Sequence, residues 1–282
     1  MKIGIVGNGF VGKATRQLEN SKTELLVYDV RPELCSPAGL TLADMASCEV
    51  IFICVPTPME ASGACHLGMV ESVVQGLRPY IDESKTFMVL RSTVPPGTCK
   101  TLGCYFMPEF LTEKRYLADF TECRHWVFGV LDAPSDDAFR KTIRTLFQYA
   151  WEDHKILHTN LEFMLHSEAE MVKYVRNTYL ASKVSFFNEM EEFCRLKGIH
   201  YERVREISVL DERIGGSHTM VPGHDGKRGF GGTCFPKDTN SLLYQMKEAG
   251  MKSYVLQGVI HRNSEVDRSE ADWETDKGRA VV

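Results

Sequence analysis

The opening residues, MKIGIVGNGFVG, constrain this chain more than any other stretch. Lys2–Val6 is a short apolar run. Gly7, Asn8, Gly9, Phe10, Val11 and Gly12 follow it as Gly-x-Gly-x-x-Gly, ahead of a helical segment at Val11–Glu19. In a strand–turn–helix unit the three glycines serve a tight turn, a close approach of backbone to a pyrophosphate, and helix–strand packing. The helix N-terminus adds N–H groups and the positive end of its dipole. By itself the pattern is weak and fits a purely structural glycine turn. Asp29 strengthens it, because it ends the second apolar run 22 residues beyond Gly7, where an acid accepts hydrogen bonds from an adenosine ribose. A carboxylate there repels a 2′-phosphate and favours NAD over NADP. Arg31 weakens that preference, since an arginine accommodates the phosphate, or it is simply a solvated surface residue. The cofactor expected is NAD.

Beyond this loop, apolar runs at Glu24–Tyr28, Val50–Val55, Thr86–Arg91, Gly103–Met107 and His125–Gly129 alternate with amphipathic stretches. Runs of this length, bounded by Gly, Pro or polar clusters, suit strands buried on both faces. Their alternation with helices predicts an α/β fold with a Rossmann-type doubly wound sheet. Ser135–Tyr149 reads as a covering helix and Lys155–His158 as a last edge strand. The character then changes. Ser167 and Glu170 have capping-box spacing, and good helix formers continue to Gly198, predicting a central helix over Glu168–Lys197. Val221–Gly232 reads as a loop, Pro236 as the first turn of a helix ending near Gly250, and the residues from Asp267 as disordered or part of a longer helix. The expected organisation is a nucleotide-binding domain over 1–160 and a helical substrate and dimerisation domain over 161–282, with the active site in a cleft between them.

Charge and composition exclude several classes. A net charge of −5 without a long basic run argues against nucleic acid or a membrane surface as partner. No segment approaches the roughly 20 apolar residues that span a bilayer. The nine cysteines are an odd number without framework spacing. That fits reduced thiols and, with a chain that begins directly on a strand, predicts a cytoplasmic protein. No Cys-x-x-Cys pair is present, so no metal is expected.

Three proline-rich motifs sit at predicted strand ends, where open sheets bind ligands: Val55-Pro56-Thr57-Pro58, Arg91-Ser92-Thr93-Val94-Pro95-Pro96-Gly97-Thr98, and Met107-Pro108-Glu109-Phe110-Leu111. Each alone is also an ordinary structural turn. Lys173 and Asn177 share one face of the long helix, where they would polarise a substrate oxygen or merely form a solvated surface. The most informative segment is Gly229-Phe230-Gly231-Gly232-Thr233-Cys234-Phe235-Pro236-Lys237-Asp238. Cys234 lies just before a helix N-terminus and three residues from a lysine, both of which favour a thiolate. The glycines would open an approach to the sulfur. The plainer alternatives are a small buried hydrophobe for Cys234 and a first-turn acid complementing the helix dipole for Asp238.

Taken together, GNGFVG, ICVPTP, RSTVPPGT, MPEFLTE, VKYVRNTYLASKVSFFNE and GFGGTCFPKDTNSL resemble, in order and spacing, the UDP-glucose 6-dehydrogenase family of sugar-nucleotide dehydrogenases. The resemblance runs from residue 1 to about Asp267. It implies oxidation of a sugar C6 alcohol to a carboxylate with two NAD⁺ per product, through a cysteine thiohemiacetal and thioester. It makes Cys234 the nucleophile. Lys173 and Asn177 become oxyanion stabilisers, Asp238 and Thr93 the holders of a proton-relaying water, and Glu109 the acid–base residue of thioester hydrolysis. Cofactor contacts fall on Gly7 to Gly12, Asp29, Arg31, Val55, Pro56, Thr57, Thr93 and Glu113, with Lys237 counted there and near the substrate. Substrate contacts fall on Glu109, Phe110, Leu111, Lys173, Asn177, Arg213, Gly231 and Cys234. A homodimer packed through long helices, acting on a UDP-sugar for polysaccharide biosynthesis, is implied in the same way.

Two departures bear on substrate recognition. The chain reads as a short form without the family's third, C-terminal nucleotide-binding domain, and Val221-Pro222-Gly223-His224-Asp225-Gly226-Lys227-Arg228 replaces the usual Asn-Pro-Ser stretch. Two alternatives therefore stand beside the four-electron oxidation. One is a single-step β-hydroxyacid dehydrogenase, with a comparable Lys-x-x-x-Asn helix but no use for a thiol. The other is a non-catalytic NAD-binding remnant.

Overall fold

Seven strands make one sheet, and every predicted strand but the last lies where the apolar runs place it. The computed structural model describes all residues, 1–282. The strands are β1 Lys2–Val6, β2 Glu24–Tyr28, β3 Val50–Ile53, β4 Phe87–Leu90, β5 Tyr105–Phe106, β6 Trp126–Val130 and β7 Leu161–Leu165. They are ordered β2-β1-β3-β4-β5-β6-β7, and all neighbours are parallel except β5 and β6. The chain leaves β1 to one side for β2 and crosses to the other for β3, so the carboxyl ends of β1 and β3 flank the topological switch point. The final strand is Leu161–Leu165 and not Lys155–His158. Lys155 instead closes the preceding helix, its N–H donating to the Ala150 carbonyl.

The continuous apolar runs are explained by two buried clusters, one on each face of the sheet. Val50 and Phe52 of β3 and Phe87 and Val89 of β4 enter one cluster with Ile3, Ile5, Phe128, Phe139 and Phe147. The alternate residues Ile51, Ile53, Met88 and Leu90 enter the other with Val6, Val70, Leu77 and Phe106. Period-two geometry sends neighbours to opposite faces, so a strand covered on both sides is apolar at every position. The covering helices are α1 Phe10–Thr15, α2 Gly68–Leu77, α3 Thr98–Leu102, α4 Tyr116–Thr121 and α5 Asp136–Glu152.

The long helix α6 spans His166–Lys197, 32 residues, starting two positions earlier than the sequence predicts. Its expected capping box is not used. The Glu168 carboxylate accepts from the Leu165 N–H. Glu170, fully buried, accepts from the N–H groups of Gly97 and Cys99 at 2.5 and 2.8 Å. Helices α7 Tyr201–Ser208, α8 Phe235–Glu248 and α9 Tyr254–Arg262 follow. The chain divides into two compact units: Met1–Thr57 with Leu67–Lys173, and Pro58–His66 with Tyr174–Val282.

In the second unit the helix runs on from α9 only to Asp267, and the residues beyond it are folded, neither disordered nor part of a longer helix. A π-helical turn at Asn263–Asp267 leads to a 3-10 turn at Asp272–Thr275, with Trp273 buried. The end of the chain pairs with residue 59. The Met59 N–H donates to the Ala280 carbonyl at 2.8 Å, and the Val282 N–H donates to the Met59 carbonyl at 3.0 Å. Polar composition concealed this because the segment is held by ion pairs more than by apolar burial. Asp267 binds Arg262 and Arg228, and Arg268 binds Asp225 and Asp272. No helix is long and apolar enough to cross a membrane.

Candidate active site

At the switch point each glycine of the loop has a distinct surrounding. Gly7 has φ +95°, and a Cβ there would lie 2.7 Å from the Cys54 carbonyl oxygen, so the turn and its contact with the end of β3 both demand glycine. A Cβ on Gly12 would fall 2.0 Å from the Gly7 carbonyl oxygen, which is the helix–strand packing role. Gly9, the N-cap of α1, has nothing within 4 Å of that position, and open space belongs where a ligand must approach the backbone.

Asp29 is buried at the end of β2. Its carboxylate accepts from the Asn8 N–H at 2.7 Å and the Arg31 N–H at 3.0 Å. Arg31 is exposed, its guanidinium 3.5 Å from Asp29. The side-chain oxygen of Asn8 is buried with no partner. An open glycine, an unpaired acceptor and a carboxylate at this edge fit a dinucleotide. Gly7 to Gly12 would hold its pyrophosphate and Asp29 its ribose.

The proline-rich motifs extend the same edge. Thr57 Oγ1 donates to the Thr93 carbonyl at 2.8 Å, and Ser92 Oγ to the Val55 carbonyl at 2.5 Å. The segments after β3 and β4, carrying Val55, Pro56, Thr57 and Thr93, are thereby tied together. Glu113 stands exposed in the loop before α4.

Glu109 follows β5 and meets Lys173 of α6. The Lys173 ammonium donates to the Glu109 carboxylate at 2.7 Å and to its carbonyl at 2.6 Å. The other carboxylate oxygen accepts from the Leu111 N–H at 2.8 Å. The Phe110 ring lies 5.7 Å from the ammonium. Burial alone would push the Glu109 carboxyl up. Lys173, with smaller help from the Leu111 N–H and Arg91, holds it below its ordinary value. Lys173 and Asn177 are both buried, which removes the solvated-face alternative.

Arg91 went unassigned in the sequence although it heads the RSTVPPGT motif. It is fully buried and donates to Thr15 Oγ1 at 2.9 Å, and its Nε is unpartnered. Its guanidinium lies over Phe120 at 5.4 Å, and it lines one pocket with Glu109, Phe110, Leu111 and Cys123. A charged residue ending an otherwise apolar strand was the available signal.

In the second unit, Cys234 is the N-cap of α8, half-buried, with Pro236 in the first turn. Its sulfur is 3.8 Å from Thr233 Oγ1. Asp238, one turn on, is buried, with each carboxylate oxygen taken. Asn177 donates to one at 2.6 Å and Lys237 to the other. Burial opposes the charge on Lys237, but Asp238 and then Cys234 hold its ammonium well above the ordinary lysine value. Lys173 and Asn177 thus have different partners, Glu109 for one and Asp238 for the other.

The glycines before Cys234 do not all open an approach to it. A Cβ on Gly231 would lie 2.7 Å from the Arg268 guanidinium carbon, and one on Gly229 would lie 2.4 Å from Asn263 Oδ1. Only Gly232 faces open space. Arg213 sits on an exposed turn after α7, its guanidinium held by Asp211.

A doubly wound sheet with this loop defines the class as dinucleotide-binding α/β proteins. Residues 40–150 match the NAD binding domain, and residues 167–265 the central domain, of the UDP-glucose/GDP-mannose dehydrogenase family. The chain belongs to that family, whose cofactor is NAD. It is 32% identical over 233 residues to the UDP-glucose 6-dehydrogenase of Rickettsia bellii (strain RML369-C), covering 79% of this chain and 50% of that protein. It is 31% identical over 237 residues to that of Pseudomonas aeruginosa, covering 78% and 49%. The solved UDP-glucose dehydrogenase of Pyrobaculum islandicum superposes with TM-score 0.77 at 25% identity, over 93% of this chain and 68% of that one. The chain spans about half the length of the curated relatives it matches.

Proposed function

We propose that this protein carries out the NAD-dependent, four-electron oxidation of the C6 alcohol of a UDP-sugar, UDP-glucose first, with Cys234 as nucleophile. The observation that carries this is Cys234 at the N-terminus of α8 in the field of the charged Lys237, beside the buried Asp238–Asn177 pair. A one-step alcohol dehydrogenation has no use for a thiol placed in this way. Resemblance to the UDP-glucose 6-dehydrogenases supports the choice of sugar nucleotide.

Bound NAD supplies the hydride acceptor at both oxidations. Asp238 and Thr93 orient the water that takes the alcohol proton. Lys173 and Asn177 donate to the oxygen as negative charge develops on it. The Cys234 sulfur adds to the aldehyde carbon and its proton passes to the oxygen, giving a thiohemiacetal. Loss of hydride and of the hydroxyl proton leaves a thioester. Glu109 takes a proton from water as that water adds, the C–S bond breaks, and the sulfur regains its proton as the acid leaves. Gly7 to Gly12, Asp29, Arg31, Val55, Pro56, Thr57 and Glu113 belong to the cofactor side. Phe110, Leu111, Arg213, Gly231 and Lys237 belong to the substrate side.

The exposed face of α6 supports a homodimer, since Tyr179, Phe186 and Phe193 recur every seven residues and each is more than half exposed. The nine free cysteines support a reducing, cytoplasmic setting.

The test is a sugar-nucleotide panel with NADH readout on the purified chain. UDP-glucose should yield about two NADH per sugar consumed, and Cys234→Ser should bind both ligands without forming acid. One NADH with accumulating aldehyde, and full activity in Cys234→Ser, would identify a single-step dehydrogenase. NAD affinity without any UDP-sugar affinity would identify a binding protein.

A further inference from the structure

The backbone leading into Cys234 is held from the far end of the chain. Phe230 is buried, and both of its main-chain polar groups are satisfied by one side chain. Its N–H donates to Asn263 Oδ1 at 2.8 Å, and its carbonyl accepts from Asn263 Nδ2 at 2.9 Å. Asn263 is itself only 2% exposed. On one side of Phe230, the Gly229 N–H donates to Asn188 Oδ1 at 3.1 Å. On the other, Gly231 rests on the guanidinium of Arg268, which Asp225 and Asp272 fix at 2.6 and 2.8 Å. Three consecutive residues are thereby locked, and Gly232 at φ +69° turns the chain into Thr233 and Cys234.

A paired amide clamp on a buried peptide unit is more than solvation of polar groups. Either hydrogen bond alone would satisfy one group, whereas the two together fix the rotation of this segment about its axis. Small errors in the position of a nucleophile are costly, with about 1 Å of displacement able to cost about a hundredfold in rate.

We propose that Asn263 is a positioning residue for Cys234, setting the sulfur through the clamped run Gly229–Gly231. This rests on Cys234 as the nucleophile, and the test separates the two claims by reading the thiol directly. Alkylation of Cys234 by iodoacetamide, followed by mass on its peptide, would be compared between wild type and Asn263→Ala across pH. The cooperative melt of each protein is recorded alongside. The expected result is a change of about fivefold or more in the alkylation rate or a displaced pH midpoint. UDP-glucose turnover should fall about tenfold or more with KM for NAD within about twofold.

Should Asn263→Ala fail to melt cooperatively, Asn263→Asp carries the test. Burial at this position raises the pKa of an introduced carboxyl, and its protonated form returns a donor to the Phe230 carbonyl, so the variant's alkylation rate relative to wild type should recover as pH falls toward about 5. A folded Asn263→Ala with wild-type alkylation rate and midpoint, or a flat ratio for Asn263→Asp, would overturn the proposal. Altered alkylation in a protein whose wild type oxidises no UDP-sugar would leave it standing and remove the function proposed above.

Discussion

At the scale of single residues, Gly9 and Gly12 look alike in the motif and differ in what surrounds them. Gly12→Ala places a methyl 2.0 Å from the Gly7 carbonyl oxygen, an overpacking that should cost about 1–3 kcal/mol in a denaturant titration. Gly9→Ala meets nothing within 4 Å, so its midpoint should stay within about 0.5 kcal/mol of wild type while NAD affinity falls, as calorimetry would show. Equal loss of stability in both variants would contradict a ligand role for Gly9.

Glu109 carries a prediction in pH. Its folded value is held below the ordinary one by Lys173. Its stabilising pairing is therefore complete above a pH of 4.5 and is lost as pH falls through the lower folded value. Glu109→Gln leaves a buried ammonium unpaired and should cost about 3–5 kcal/mol near neutrality. Melting curves of the two proteins should converge on acidification below that point, and a gap that widens there would reverse the assigned sign. The glycine spacing was legible in the sequence because it is local. The Lys173–Glu109 pairing was not, because the motifs that carry the two residues say nothing of their separation in space.

At the scale of elements, α6 was legible from its helix formers, but its start was not. A hydroxyl and a carboxylate at capping-box spacing are a local signal, and the fold overrode it by taking Glu170 to the N–H groups of Gly97 and Cys99. That carboxylate anchors the RSTVPPGT segment and the start of α3 to the second turn of α6. Glu170→Ala leaves those N–H groups without their acceptor and should cost about 2 kcal/mol or more in thermal or denaturant unfolding. A loss below about 0.5 kcal/mol would show that water replaces the carboxylate without penalty. The edge strand was misplaced for a similar reason. Lys155–His158 and Leu161–Leu165 are both short apolar-tinged runs, and only pairing with β6 distinguishes them.

For the whole molecule, the exposed aromatic stripe on α6 gives a prediction about assembly. Replacing Phe186 and Phe193 together by Glu should convert a dimer into a monomer in light scattering at micromolar concentration, with the melt of the isolated chain little changed. A wild-type chain that is monomeric at every concentration would refute it.

The sequence by itself determined six of the seven strands, the glycine loop, the start of α8 at Cys234 and the family. Glycine spacing, apolar runs and a proline after a cysteine act over a few residues, and the local chain carries them whole. Tertiary structure alone decided the partners. Lys173 meets Glu109 across 64 positions, Asn177 meets Asp238 across 61, and Asn263 meets Phe230 across 33. A buried polar group must find a partner, but which partner depends on the path of the folded chain. That path also turned a polar tail into the support beneath the candidate nucleophile's loop.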